Sequence, residues 1–412
     1  MAATCAIVMW VHPSAFGEPG HNARLQAPVD SGADLVKILV YRLDFERYKA
    51  NIKGLTQFGD RRQGTDRNRR AIDWIEAQLQ SFGCANIERL KYDYQPPNPD
   101  IRSTIANSAG GPGTPTPSGA TSVGGGTPRG LRVRTGINND PNAQPDPKLR
   151  ELNSQPSAPG IREEIYCTKV GTIHPDEMYM VSAHLDGIGW GEAANDDASG
   201  TALVMELARV VSGPDVRTER SVRFIFWNNE ETGLNGSSAY VEKRKDLQGQ
   251  ENPPGSGRYP EPKWLGVIQH DMMLFDHGMP LEDGTVSKRQ RPEADINIEF
   301  QANSAFAAQS QALAWTLEQA NEKYAADYPA RVGSHMTNTD SNPFMNAAAS
   351  ISVRENERGT EIGNGWDPQW HQPTDLYATY DDKDFRLGLN AAQTTLAAIA
   401  KLAGATVARR NP

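Results

Sequence analysis

The sequence predicts an α/β fold, a three-layer α/β/α arrangement with a mostly parallel central sheet. Two observations carry this. Short, nearly continuous apolar runs at 177–183, 221–227 and 264–269 read as strands buried on both faces. Between them lie longer stretches whose apolar residues recur every three or four positions, the mark of helices that bury one stripe. The 412 residues, 38% of them apolar, suffice for one large catalytic unit.

The elements follow in order. Ala71, Ile72, Ile75, Leu79 and Phe82 share one helical face over 70–82, and Gly83 ends that helix. Residues 87–94 then alternate as a strand. Helix 199–211 is marked by Leu203, Leu207 and Val211, with Val204 and Ala208 beside them. Two long helical patterns, 304–324 and 385–402, close the chain.

Other segments read differently. Residues 1–40 form a leader whose apolar run 6–11 is either the remnant of an export signal or an ordinary loose segment. Residues 41–404 form a single domain, interrupted at 103–160, and 405–412 a tail. Within 110–130, eight glycines and four prolines mix with Ser and Thr, and five more prolines follow in 138–159. Such a stretch buries too little apolar surface to offset its ordering entropy, so the insertion is expected to be mostly structureless. The net charge of −9 argues against nucleic acid as a partner, and no apolar run is long enough for a membrane span. Cys5, Cys84 and Cys167 are too few for a disulfide framework and lack zinc-finger or redox spacing.

In parallel sheets, ligands gather beyond the C-terminal ends of the strands. Here those ends carry His184-Leu185-Asp186, Glu230-Glu231 and His270-Asp271, with Asn195-Asp196-Asp197-Ala198-Ser199-Gly200 before the 199–211 helix. A carboxylate two residues from an imidazole can fix its tautomer. Adjacent aspartates before a helix can also be simple caps. Two glutamates at the end of a buried strand are costly unless paired, protonated or metal-bound.

In order and spacing these motifs, with Glu230-Glu231-Thr232-Gly233-Leu234-Asn235-Gly236-Ser237, resemble the zinc-dependent exopeptidases typified by secreted bacterial leucine aminopeptidases. His371-Gln372-Pro373-Thr374-Asp375 resembles the family's closing ligand motif. Thr339-Asp340-Ser341-Asn342-Pro343-Phe344 and 58–65 resemble two further family segments. The resemblance covers roughly 45–402 and implies a zinc-exopeptidase-like fold with a mixed sheet and two zinc ions. Asp196 would bridge them, with His184 and Asp271 on one and Glu231 and His371 on the other. Asp186 would orient His184, and in relatives with this motif the peptide bond after the residue matching Asp196 is cis. Glu230 would be the general base, taking a proton from a water shared by the ions before it attacks a peptide carbonyl. The expected substrate is a peptide or protein. Aminopeptidase activity leads, with carboxypeptidase and dipeptidase activity open, and a secreted or periplasmic location is expected over a cytoplasmic one. Oligomeric state is not specified.

One departure bears on chemistry. Relatives often place Tyr before the last His ligand, where this chain has Trp370. Trp there resembles the glutaminyl cyclases of the same fold, so a cyclase is the alternative enzyme, and a non-catalytic binding protein the alternative of another class. Arg354 and Arg358 are expected as solvated loop residues, although either could hold a substrate carboxylate. His277 and His335 are expected in loops near the site. Asn235-Gly236-Ser237, formally a glycosylation acceptor, is expected to be a turn.

Overall fold

A computed structural model describes residues 34–96, 137–275, 278–280, 286–290, 296–336, 338–355 and 367–408. The chain opens with helices α1 (Leu35–Val40), α2 (Phe45–Thr56) and α3 (Asp66–Ser81) and strand β1 (Glu88–Tyr94). Helix α4 (Pro147–Asn153) and strands β2 (Gly160–Lys169) and β3 (His174–His184) follow. Next come helix α5 (Gly200–Val211), β4 (Val216–Arg217), β5 (Arg220–Trp227), helix α6 (Asn235–Arg244) and β6 (Lys263–His270). The rest comprises β7 (Gly278–Pro280), β8 (Val286–Gln290), β9 (Ile296–Phe300), helix α7 (Ala307–Tyr324), β10 (Ala330–Gly333), β11 (Ser350–Glu355), helix α8 (Asp382–Leu402) and β12 (Thr406–Val407).

Eight strands form one mixed sheet in the order β1-β2-β5-β3-β6-β11-β9-β10. Its centre is parallel: β3 pairs with β5 and β6, and β6 with β11. Antiparallel β1, β2 and β9 flank that centre. Strand alternation divides the buried residues into two cores. On β5, Val222, Phe224 and Phe226 join α2, α3, α5, α7 and α8 on one face. Ile225 and Trp227 face the other way, towards Tyr240 of α6 and Phe344. Both faces are thus covered, which is why the central strands are apolar throughout.

Helices α3 and α8 begin earlier than apolar periodicity predicts. Thr65 caps α3 by accepting from the Asn68 amide, and Asp381 caps α8 in a capping box with Asp384. First turns built on caps are polar, so the hydrophobic period starts only in the second turn.

Three expectations about chain organisation change. Leu39 and Val40 of α1 are buried in the main core, so the leader ends before them. Strand β12 pairs with β4 inside the stretch expected as a tail. Of the 103–160 insertion, 103–136 lies outside the described residues, but 137–160 is ordered. Its α4 is capped by Asp146, and Asn153 is buried, donating to the Gly191 carbonyl at 2.8 Å. Cys84 and Cys167 form a disulfide that ties the turn after α3 to β2, with Cα atoms 6.1 Å apart. Cysteines 83 positions apart give no spacing motif, so pairwise counting missed the bond. No helix among the described residues is long and apolar enough to cross a membrane.

Candidate active site

The register brings the strand ends together. His184 pairs with Trp227 and Ala183 with His270, so β3, β5 and β6 finish at one level. The side chains just beyond them share a hollow of about 230 Å³, lined by His184, Asp196, Glu230, Glu231, Asp271, Arg354, Trp370 and His371, among others. All five residues expected as metal ligands, and Glu230, therefore meet there.

Asp196 sits between two imidazoles. Its Oδ1 lies 3.2 Å from His184 Nε2, and its Oδ2 lies 2.9 Å from His371 Nε2. Glu231 Oε2 lies 2.8 Å from the same His371 nitrogen, and Asp271 Oδ1 lies 3.8 Å from His184 Nε2. Donor atoms of His184, Asp196 and Glu231 all fall within 4.8 Å of one another, as do those of His184, Asp197 and Asp271. These are two candidate metal-binding clusters.

The electrostatics fit cations there. Burial alone would raise the Asp196 carboxyl, yet hydrogen bonding to His184 and His371 holds it below the usual range. Burial alone would lower His371, but Glu231 and Asp196 push it up to about 10. Burial brings Glu231 to about 7 and, together with neighbouring Glu231, raises Glu230 well above the ordinary value. So many buried carboxylates need compensating positive charge. Imidazole and carboxylate donors are what zinc takes, and Glu231 Oε1 has no hydrogen-bond partner among the described residues.

Adjacent Asp197 is spent differently. Its carboxylate accepts from the backbone amides of His184 (3.2 Å), Gly200 (2.9 Å) and Met272 (3.2 Å), so it braces the ends of β3 and β6 against the start of α5. The Asp196–Asp197 peptide is cis. The His184 ring is braced from behind by the Asp186 carbonyl, 2.9 Å from Nδ1, whereas the Asp186 carboxylate is 3.8 Å away. That carboxylate accepts from the Glu230 amide at 3.0 Å.

The surrounding loops hold unfavourable backbone. Ala193, Asn229, Met272 and His371 all have positive φ without being glycine. Their neighbours over-determine them. Fully buried Arg61 donates to the carbonyls of Leu185, Glu192 and Ala193. Asn195 ties its own loop to Leu274, Glu355, Asp367 and Asp375. Gly189 must lack a side chain, because a Cβ there would stand 2.3 Å from the His371 backbone.

Several placements differ from expectation. Arg354 is not a solvated loop residue: it lies on β11, is 3% exposed, and its guanidinium is 3.6 Å from Asp271 Oδ1. Arg358 and His277 lie outside the described residues, and His335 is exposed and does not line the hollow. As strand alternation requires, His270 points away from Asp271, to Thr395 of α8 at 2.8 Å. Ser237 is buried and donates to Asp340. The Arg61, Asn195 and Asp197 braces were missed because nothing local distinguishes a bracing polar residue from a capping one.

Residues 165–395 match Peptidase family M28. Aminopeptidase YwaD of Bacillus subtilis (strain 168) is 42% identical over 80 residues, 19% of this chain and 17% of that protein. Probable lipoprotein aminopeptidase LpqL of Mycobacterium tuberculosis is 28% identical over 254 residues, 60% of this chain and 47% of that one. The chain thus spans less than half the length of these curated relatives. The structure of BSAP, a zinc aminopeptidase from Bacillus subtilis, superposes with a TM-score of 0.58 at 16% identity, covering 87% of this chain and 95% of that one. At such identity the likeness is one of fold.

Proposed function

Because the chain belongs to peptidase family M28, we propose that it is a two-zinc aminopeptidase that releases residues from the N-terminus of peptides. The observation that carries this reading is Asp196, whose two oxygens each face a different imidazole. His184, Asp196 and Asp271 would hold one ion, and Asp196, Glu231 and His371 the other. When bound, two such ions polarise a water and a carbonyl as Lewis acids.

The chain's own residues account for the remainder. Glu230 takes a proton from the attacking water and delivers it to the leaving nitrogen. Its carboxyl lines the hollow beside the five candidate ligands, where a base must stand to take that proton. Its backbone is held by the Asp186 carboxylate, which sets the angle of the loop. The hollow is dominated by carboxylates, which suits the ammonium of a free N-terminus. Its one arginine among the described residues, Arg354, leans on Asp271, which favours aminopeptidase over carboxypeptidase action at this pocket. A disulfide between Cys84 and Cys167 accords with a secreted or periplasmic location.

The test combines metal analysis with free and N-acetylated peptides. Two zinc per chain and cleavage abolished by acetylation support the reading. Cleavage that survives acetylation would replace it with an endo- or carboxypeptidase, and cyclisation of N-terminal glutamine with a cyclase.

A further inference from the structure

A second hollow, of about 240 Å³, lies on the other side of the Glu230–Gly233 loop. Glu230, Glu231 and Gly233 line the metal-site hollow, while Thr232 lines this one together with Arg62, Gln63, Tyr94, Ser157 and Arg162. The two hollows differ in charge. The first gathers carboxylates, whereas the second has two arginines and no acidic residue among the described residues of its lining.

Arg162 is 4% exposed and stacks its guanidinium over the Tyr94 ring, 5.1 Å from the centroid. Its donors all go to neutral acceptors: the Gln63 side chain and the carbonyls of Ala158, Gly160 and Ile161. Among the described residues it is thus a buried cation in no ion pair, with the Asp186 carboxylate acting on it only through space, an arrangement that burial makes costly. Gly64, at φ +76°, permits the close approach, since a Cβ there would stand 2.5 Å from Arg162 Nη2. Arg62 adds a second guanidinium, and its side chain makes no hydrogen bond or ion pair among the described residues. Among the described residues, Asp60 pairs with Arg67, Asp66 with Arg69, and Glu163 with Arg89 and Lys91, while Glu164, two residues along β2, makes no hydrogen bond and no ion pair with Arg162.

We infer that this hollow binds a substrate carboxylate on the leaving-group side of the scissile bond, and that the carboxylate is the free C-terminus of a short peptide. The inference rests on the aminopeptidase reading and narrows its substrate class. A metal site and a cationic hollow on either side of one short loop would clamp a peptide by both ends, N-terminal amine in one and terminal carboxylate in the other. Planar guanidinium groups match a carboxylate in two-point hydrogen bonding. Arg62, the less buried of the pair, would make the direct contact and so determine specificity.

The test uses the zinc-loaded full chain, with leucyl arylamide, di- to tetrapeptides bearing leucine first as free acids and as C-terminal amides, and amidated peptides with an internal glutamate. The wild type should show a KM about threefold to tenfold lower for the free acid at one peptide length, the range of a partly exposed charged contact. Arg62→Gln should remove that preference, and Arg62→Lys should retain part of it. A preference that follows the internal glutamate supports the carboxylate site while moving its source to a side chain. Equal KM for acid and amide at every length, or a preference that survives Arg62→Gln, overturns the inference while arylamide cleavage leaves the aminopeptidase reading standing. Absence of arylamide cleavage by the wild type overturns both.

Discussion

The indole of Trp370 stacks on the imidazole of His371, with ring centroids 3.8 Å apart and planes inclined by 26°. His371 also has the positive φ of a strained residue, and its carbonyl is held by the Asn138 amide at 3.1 Å. The last candidate ligand is therefore fixed by contacts made through its neighbour and the ordered end of the insertion. Trp370→Ala should weaken zinc retention about 10- to 100-fold, the usual cost of losing a group that orients a ligand. Competition against a chelator of known affinity measures it, and unchanged retention would show that stacking does not hold the ring.

Glu230→Gln and Asp196→Asn should separate chemistry from metal binding. The first keeps the volume and the two zinc ions while peptide hydrolysis falls about 10²- to 10⁴-fold. The second removes the carboxylate between the two imidazoles, so metal content and activity fall together. Elemental analysis beside initial rates distinguishes them. Full activity in Glu230→Gln would remove that residue from the role of base.

Glu164 is fully buried, and neither carboxylate oxygen has a hydrogen-bond partner among the described residues. Burial, reinforced by Asp340, raises its pKa well above the ordinary value. A carboxyl whose folded pKa is raised binds its proton more tightly when folded. Its penalty is therefore absent below the unfolded pKa of about 4.3 and grows as pH rises towards the folded value. Glu164→Gln should melt higher than the wild type at pH 8 and show little difference at pH 4. Melting curves across that range check the sign, and a gain that is independent of pH would show that ionisation is not the cause.

The Cys84–Cys167 bond closes a loop that contains the whole insertion. Paired serine substitution should cost about 2–5 kcal/mol of stability, mostly by freeing the unfolded chain. Denaturant unfolding with and without reductant measures it. Catalytic constants at low temperature should be unchanged, since neither cysteine lines the metal-site hollow.

Much of this protein is legible in the order of its residues. Strands buried on both faces must be apolar throughout, and helices that cover a sheet must repeat at three to four, so β3, β5, β6 and α5 announce themselves within a few positions. The motifs after His184, Trp227 and His270 are legible for the same reason, because the end of a buried strand is a poor place for unpaired acids. Strand β2 escaped notice because Arg162, Glu163 and Glu164 interrupt its alternation, each tied to a distant partner or buried without one. Asp196 and Asp197 are the sharper case. They are chemically identical neighbours, yet one faces two imidazoles and the other three backbone amides. Local preference is encoded over a handful of residues, whereas the meeting of a donor with an acceptor depends on strand register and loop closure across most of the chain. Packing alone therefore separated the bridging carboxylate from the bracing one, turned Arg354 inward, joined Cys84 to Cys167, and set a cationic hollow beside an acidic one.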